Sequence, residues 1–92
     1  MDWIAVQPYY KVLREVNGIE DTTVVEHRQI YLYVDKIVTK HREFLISEVF
    51  DMSYRQMGND EGLLYLHTKR GVYSYPVKEN PESFIEAFKV LD

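Results

Sequence analysis

The 92-residue chain contains no cysteine, only four glycines and only three prolines. Without cysteine there can be no disulfide framework, thiolate zinc site, iron–sulfur cluster or cysteine nucleophile. So little Gly and Pro, with no biased tract, excludes collagen-like and low-complexity chains. No apolar run approaches the ~20 residues that cross a bilayer as a helix. The opening Met1-Asp2-Trp3-Ile4-Ala5-Val6-Gln7-Pro8 has neither the basic nor the apolar region of a signal peptide, so a cytoplasmic protein is expected. Basic charge is not in excess either. A formal net charge of −4 argues against nucleic-acid binding, which relies on neutralising phosphates.

What is present suits a small folded domain. The length allows one domain, taken as residues 1–92. A hydrophobic share of 46% with eight Tyr, four Phe and one Trp can build a core that a disordered chain could not. Charge is unevenly placed. Residues 27–42 hold Arg28, Lys36, Lys40 and Arg42 against Asp35, whereas residues 43–68 hold Glu43, Glu48, Asp51, Asp60 and Glu61 against Arg55. Such blocks form either the solvated faces of neighbouring strands or a polarised surface that steers a partner.

The C-terminus carries the clearest element. Asn80 suits an N-cap, because its side-chain oxygen can accept an orphan backbone N–H, and Pro81 fits the first helical position. Phe84, Ile85, Phe88 and Leu91 then recur at helical spacing, which predicts an amphipathic helix with an aromatic stripe. Upstream the chain reads as strands. Ile30–Val34 and Ile37–Thr39 flank Asp35-Lys36, a gap of hairpin length, and Glu43–Ile46 follows. Val49–Gln56 alternates Phe50, Met52 and Tyr54 against Asp51, Ser53 and Arg55, which places the first three on one apolar face. Met57–Gly62 is a loop by composition. Leu63–Thr68 and Val72–Val77 are joined through Lys69-Arg70-Gly71, where Gly71 can supply a positive φ, and Pro76 marks an edge or a strand end. Residues 8–16 fit a short helix or a strand turning at Asn17-Gly18, and the abundance of Tyr and Val favours the strand. The sum is a mostly β, α+β fold: an antiparallel meander, as a sheet or partly open barrel, capped by one C-terminal helix.

Leu32-Tyr33-Val34-Asp35-Lys36-Ile37-Val38, the phrase Phe44 to Ser53, the pair Gly62–Thr68 and Gly71–Tyr75, and the final Asn80–Leu91 together resemble a small bacterial pleckstrin-homology-like domain. The resemblance covers about two-thirds of the chain, and residues 1–26 match poorly. It implies a scaffold that binds proteins, peptides or lipid headgroups and performs no chemistry.

The candidate chemistry is sparse. His27, His41 and His67 lack metal-ligand spacing, and neither a metal nor another cofactor is expected. Ser53, His67 and Asp51 come without a nucleophile elbow or oxyanion glycines, so no catalytic residue is assigned and no enzyme is expected. Lys36, Lys40, Arg42, Lys69 and Arg70 are candidates for an anionic ligand such as a lipid headgroup at a membrane surface, although successive turns of a meander lie at opposite ends and keep Lys36 apart from residues 40–42. Trp3, Tyr31, Tyr33, Tyr73 and Tyr75 are candidate partner contacts, because Tyr offers large amphipathic area at low entropic cost. Gly62–Tyr65 or Val72–Tyr75 could also present an unpaired edge for strand addition. The expected function is therefore a non-catalytic interaction domain that binds another protein or itself, with anionic headgroup binding as the alternative.

Overall fold

The computed structural model of the chain describes residues 3–17, 20–58 and 61–91. Among these residues seven strands and one helix follow in order: β1 Ala5–Asn17, β2 Glu20–Leu32, β3 Lys36–Val38, β4 Glu43–Leu45, β5 Val49–Gln56, β6 Gly62–Thr68, β7 Gly71–Val77 and α1 Glu82–Leu91. All pairings are antiparallel. One sheet has the order β1-β2-β3-β4 and the other β5-β6-β7, with a single 3-10 turn at Ile46–Glu48 leading from the first to the second. This is an α+β fold, pleckstrin-homology-like in general form, and among the described residues the two sheets do not close into a barrel.

The ambiguous residues 8–16 are strand. β1 and β2 pair along their whole length, from Ala5 opposite Leu32 to Asn17 opposite Glu20. β2 pairs with β3 only at Tyr31 and Leu32. The far half of the β1–β2 ribbon therefore extends past the rest of the first sheet, in a molecule measuring 50 × 27 × 26 Å. The expected turn at Asn17-Gly18 falls partly outside the described residues.

The inward faces of both sheets supply the core. Ile30, Leu32, Ile37 and Phe44 from the first sheet meet Met52, Leu64, Leu66 and Val77 from the second. α1 covers them, with Phe84 and Phe88 each 2% exposed. Its start is built as its residues dictate: the Asn80 side-chain oxygen accepts the Glu82 N–H at 2.9 Å, and the Pro81 carbonyl accepts from Ile85 at 2.9 Å. The turn between β6 and β7 is equally local. Gly71 has a φ of 129°, and the Thr68 hydroxyl donates to the Gly71 carbonyl at 2.8 Å while accepting the Arg70 N–H at 3.1 Å. Gly62 is a close approach rather than a loop residue. It opens β6, and a β-carbon there would press into the Tyr54 ring and come within 2.8 Å of the Arg55 carbonyl.

Four sequence expectations are corrected. Phe50 does not share the face of Met52: the β5–β6 register slips between Val49 and Asp51, and Phe50 is turned out to 61% exposure while Val49 takes the inward place. The strand expected over Ile30–Val34 stops short, because β2 ends at Leu32 and Val34 lies in the turn, exposed. The turn expected at Asp35-Lys36 is instead Tyr33–Asp35, since Lys36 opens β3, and it is closed by the Tyr33 N–H on the Lys36 carbonyl at 2.8 Å without a positive φ. Gly62–Tyr65 is not an edge, since β6 is the middle strand of its sheet, whereas β7 is an edge.

The helix stripe and the bulge make opposite predictions. Phe88→Ala should destabilise by about 3–5 kcal/mol in urea unfolding, as expected for emptying a buried aromatic site. Phe50→Ala should cost no more than ~0.5 kcal/mol, as for an exposed position.

Candidate binding cleft

Where β1 and β7 come together they do not pair: among the described residues no ladder joins the two sheets. The seam is tied at one end by Gln7. This side chain is 4% exposed, and its amide donates to the Glu79 carbonyl at 3.1 Å and to the Pro8 carbonyl at 3.2 Å. Beside it, Tyr9 and Tyr75 meet edge to face at 5.1 Å and 78°. Beyond these rings the seam opens into a cleft of about 520 Å³. Its walls are Tyr10, Lys11 and Val12 of β1 and Ser74 to Pro76 of β7, with Arg28 from β2 and Thr39, His41 and Arg42 from the β3–β4 hairpin.

Each wall has a local reason. Thr39 shapes the hairpin tip: its N–H donates to the Arg42 carbonyl at 2.8 Å, and its hydroxyl accepts the Arg42 N–H at 3.1 Å. The hydroxyl takes the second hairpin bond without any positive φ at Lys40 or His41. Arg42 lies with its guanidinium 4.8 Å from the centre of the Tyr73 ring, and that ring packs 5.0 Å from Phe44. On β2, Arg28 faces the cleft with its Nε on Glu26 Oε1 at 2.6 Å, and Lys40 Nζ reaches the same oxygen at 2.5 Å. Hydrogen bonds from Lys40 and then Arg28 hold the Glu26 carboxyl down at about 2, and the carboxylate in turn holds the Arg28 guanidinium further up. Burial pushes the Tyr75 phenol up, and the Thr39 hydroxyl beside it works the other way. Among the described residues the cleft lining thus carries three basic side chains, one histidine and no carboxylate, with the Glu26 carboxylate behind it on Arg28 and Lys40, in a chain whose net charge is −4.

The anionic-ligand candidates fall into separate places. Arg42 lines the cleft and Lys40 stands just behind it, bound to Glu26. Lys36 is paired with Glu43 at 3.6 Å and lies 5.7 Å from the Tyr33 ring, outside the cleft. Lys69 and Arg70 form the β6–β7 turn, where the Lys69 N–H donates to the Glu48 carbonyl at 3.0 Å, and neither lines the cleft. The aromatic candidates divide as well. Trp3 and Tyr31 meet at 6.1 Å, away from the cleft, and Tyr31 turns away from the buried face of Ile30 and Leu32. On β7 the tyrosines point the other way: Tyr75, 9% exposed, belongs to the core and floors the cleft, and Tyr73 packs beside it. Ser53 and His67 do meet, Oγ to Nε2 at 2.8 Å, on the side of the second sheet opposite Met52, Leu64 and Leu66. Neither lines the cleft. Among the described residues no cluster of His, Asp and Glu could hold a metal ion, and no helix is long and apolar enough to cross a membrane.

Sequence reading missed Lys11, Arg28, His41 and Tyr9 as a group. Their signal was the unassigned N-terminal third: once β1 and β2 pair with Tyr9 opposite Arg28, both fall on the inner face beside the 39–42 turn. Compared with protein-family models, curated proteins and solved structures, the chain matches none.

The depressed Glu26 carboxyl has a definite pH consequence. A carboxyl held below its ordinary 4.5 adds stability that is complete above that pH and fades as the pH falls towards 2. Glu26→Gln should therefore be less stable than the native chain at neutral pH, and the gap should close between pH 4.5 and 2 in urea titrations. A gap that stays constant would mean that Glu26 does not anchor Arg28 and Lys40.

Proposed function

We propose that this chain is a non-catalytic, pleckstrin-homology-like interaction domain whose inter-sheet cleft binds an acidic segment of a protein partner. One observation carries the reading: among the described residues the inter-sheet cleft is lined by Lys11, Arg28, Arg42 and His41 with no carboxylate, although the protein as a whole is acidic. Charge of one sign gathered between low-dielectric walls attracts a ligand of the other sign and helps to exclude wrong partners. The floor of Tyr9 and Tyr75 and the flank of Pro76 add apolar area of the kind a peptide's side chains can cover. A protein segment suits this shape better than a membrane surface does. The cations face inward between two strands, and Lys36, Lys69 and Arg70, which a flat anionic surface could also use, lie outside the cleft.

The test uses a capped, fluorescein-labelled hexapeptide of alternating glutamate and valine, followed by anisotropy. It should bind, and binding should weaken at least about tenfold when salt is raised to about 0.5 M or when Lys40→Glu and Arg42→Glu are combined. Lys36→Glu and Lys69→Glu, outside the cleft, should leave the affinity unchanged. Absence of binding by the native chain would contradict the reading. So would flotation with phosphatidylserine vesicles that Lys36→Glu and Lys69→Glu abolish, since it would assign the anion site to a membrane-facing surface.

A further inference from the structure

The cleft has a second property, independent of charge, that lies in the backbone of its walls. The Tyr33 N–H donates to the Lys36 carbonyl, and because backbone groups alternate sides along a strand, the odd residues at this end of β2 turn towards β3. The even residues Arg28, Glu26 and Val24 must then turn towards β1, where they stand opposite Tyr9, Lys11 and Leu13. Tyr10 and Val12 are left with N–H and C=O facing away from β2, and both line the cleft. Proline places itself accordingly. Pro8, which has no N–H to give, shares the parity of Tyr10 and Val12, and its carbonyl is free enough to accept from the Gln7 side chain. Across the cleft Pro76 plays the same part in β7, so Ser74 also turns away from β6.

We infer that the partner segment binds as an added antiparallel strand, hydrogen-bonded to the outward-facing backbone of Tyr10 and Val12. This rests on the cleft being the site of an acidic protein segment and specifies how that segment is held. An edge with unpaired backbone groups is a template for another strand, and here the template lies beside the cations. Lys11 and Arg28 share the inner face with Tyr9, and Glu26 on the same face is already taken up by Arg28 and Lys40, so the residue of an added strand that stands opposite Lys11 meets a basic side chain there. Its neighbours along the added strand fall on the face of Tyr10 and Val12. The ligand class is therefore an extended segment that alternates acidic and apolar residues. In the antiparallel arrangement the residues opposite Tyr10 and Val12 exchange hydrogen bonds with them, so the apolar residues carry the N–H groups that bind.

Methylating backbone nitrogens of the Glu-Val hexapeptide tests this without disturbing the fold. Methyl groups on the valine nitrogens should reduce affinity by tenfold or more, on the order of the loss of one or two hydrogen bonds. Methyl groups on the glutamate nitrogens should leave it within about threefold of the unmodified peptide. Val12→Pro, which removes an outward donor while sparing the bonds to β2, should weaken the unmodified peptide as well, with folding checked by circular dichroism. Equal affinities of the two methylated peptides would overturn strand addition while leaving the acidic-segment reading intact. Failure of the unmodified peptide to bind would overturn both.

Discussion

Two positions that cannot donate a hydrogen bond, Pro8 in β1 and Pro76 in β7, lie in the two strands that flank the gap where this fold stops short of closing, and Pro76 lines the cleft itself. A closed barrel pairs its first and last strands and abolishes its edges. Here the ladder that would join them lacks a donor on each side, so the two sheets are held by other means. The Gln7 amide on the Glu79 carbonyl, the Tyr9–Tyr75 contact and the shared core under α1 take over that role. They do so only at one end, and the cleft begins where they stop. Proline in both edge strands suits an open seam, because neither position can donate to a ladder across it.

Electrostatics then gives the seam a sign. The β3–β4 turn brings Arg42 to the rim and Lys40 behind it, and the register of β1 on β2 brings Lys11 and Arg28 to the same face. Glu26 is the organiser: one carboxylate oxygen takes both Arg28 and Lys40, which anchors the hairpin tip to β2 and holds the cations in place. The Ser53–His67 hydrogen bond, which in another setting would prompt a catalytic reading, joins adjacent strands β5 and β6 outside this cleft.

The parts legible in the sequence were those with local causes. The α1 cap reads directly from Asn80-Pro81, the β6–β7 turn from Gly71, and the edge character of β7 from Pro76, because each depends on residues next to one another. What could not be read were features set by register. Phe50 carries the right period for the core, yet a slip between Val49 and Asp51 moves it to the surface, and nothing in the composition of β5 announces the slip. The tyrosines of β2 and β7 follow the same spacing but face opposite ways, because alternation does not say which side is inside. The cleft was illegible for the same reason. Arg28 and Lys11 are far from Arg42 in sequence and meet it only because β1, ambiguous between strand and helix, is a strand in a particular register.

The open seam is tested most directly by amide hydrogen exchange on the free protein at high dilution. Tyr9 and Lys11, bonded to β2, should be protected, while Tyr10 and Val12 between them and Ser74 across the gap should exchange at near-solvent rates. Slow exchange at Tyr10, Val12 and Ser74 alike would mean that β1 and β7 are paired on their outer edges, and would contradict a cleft built on unpaired strands.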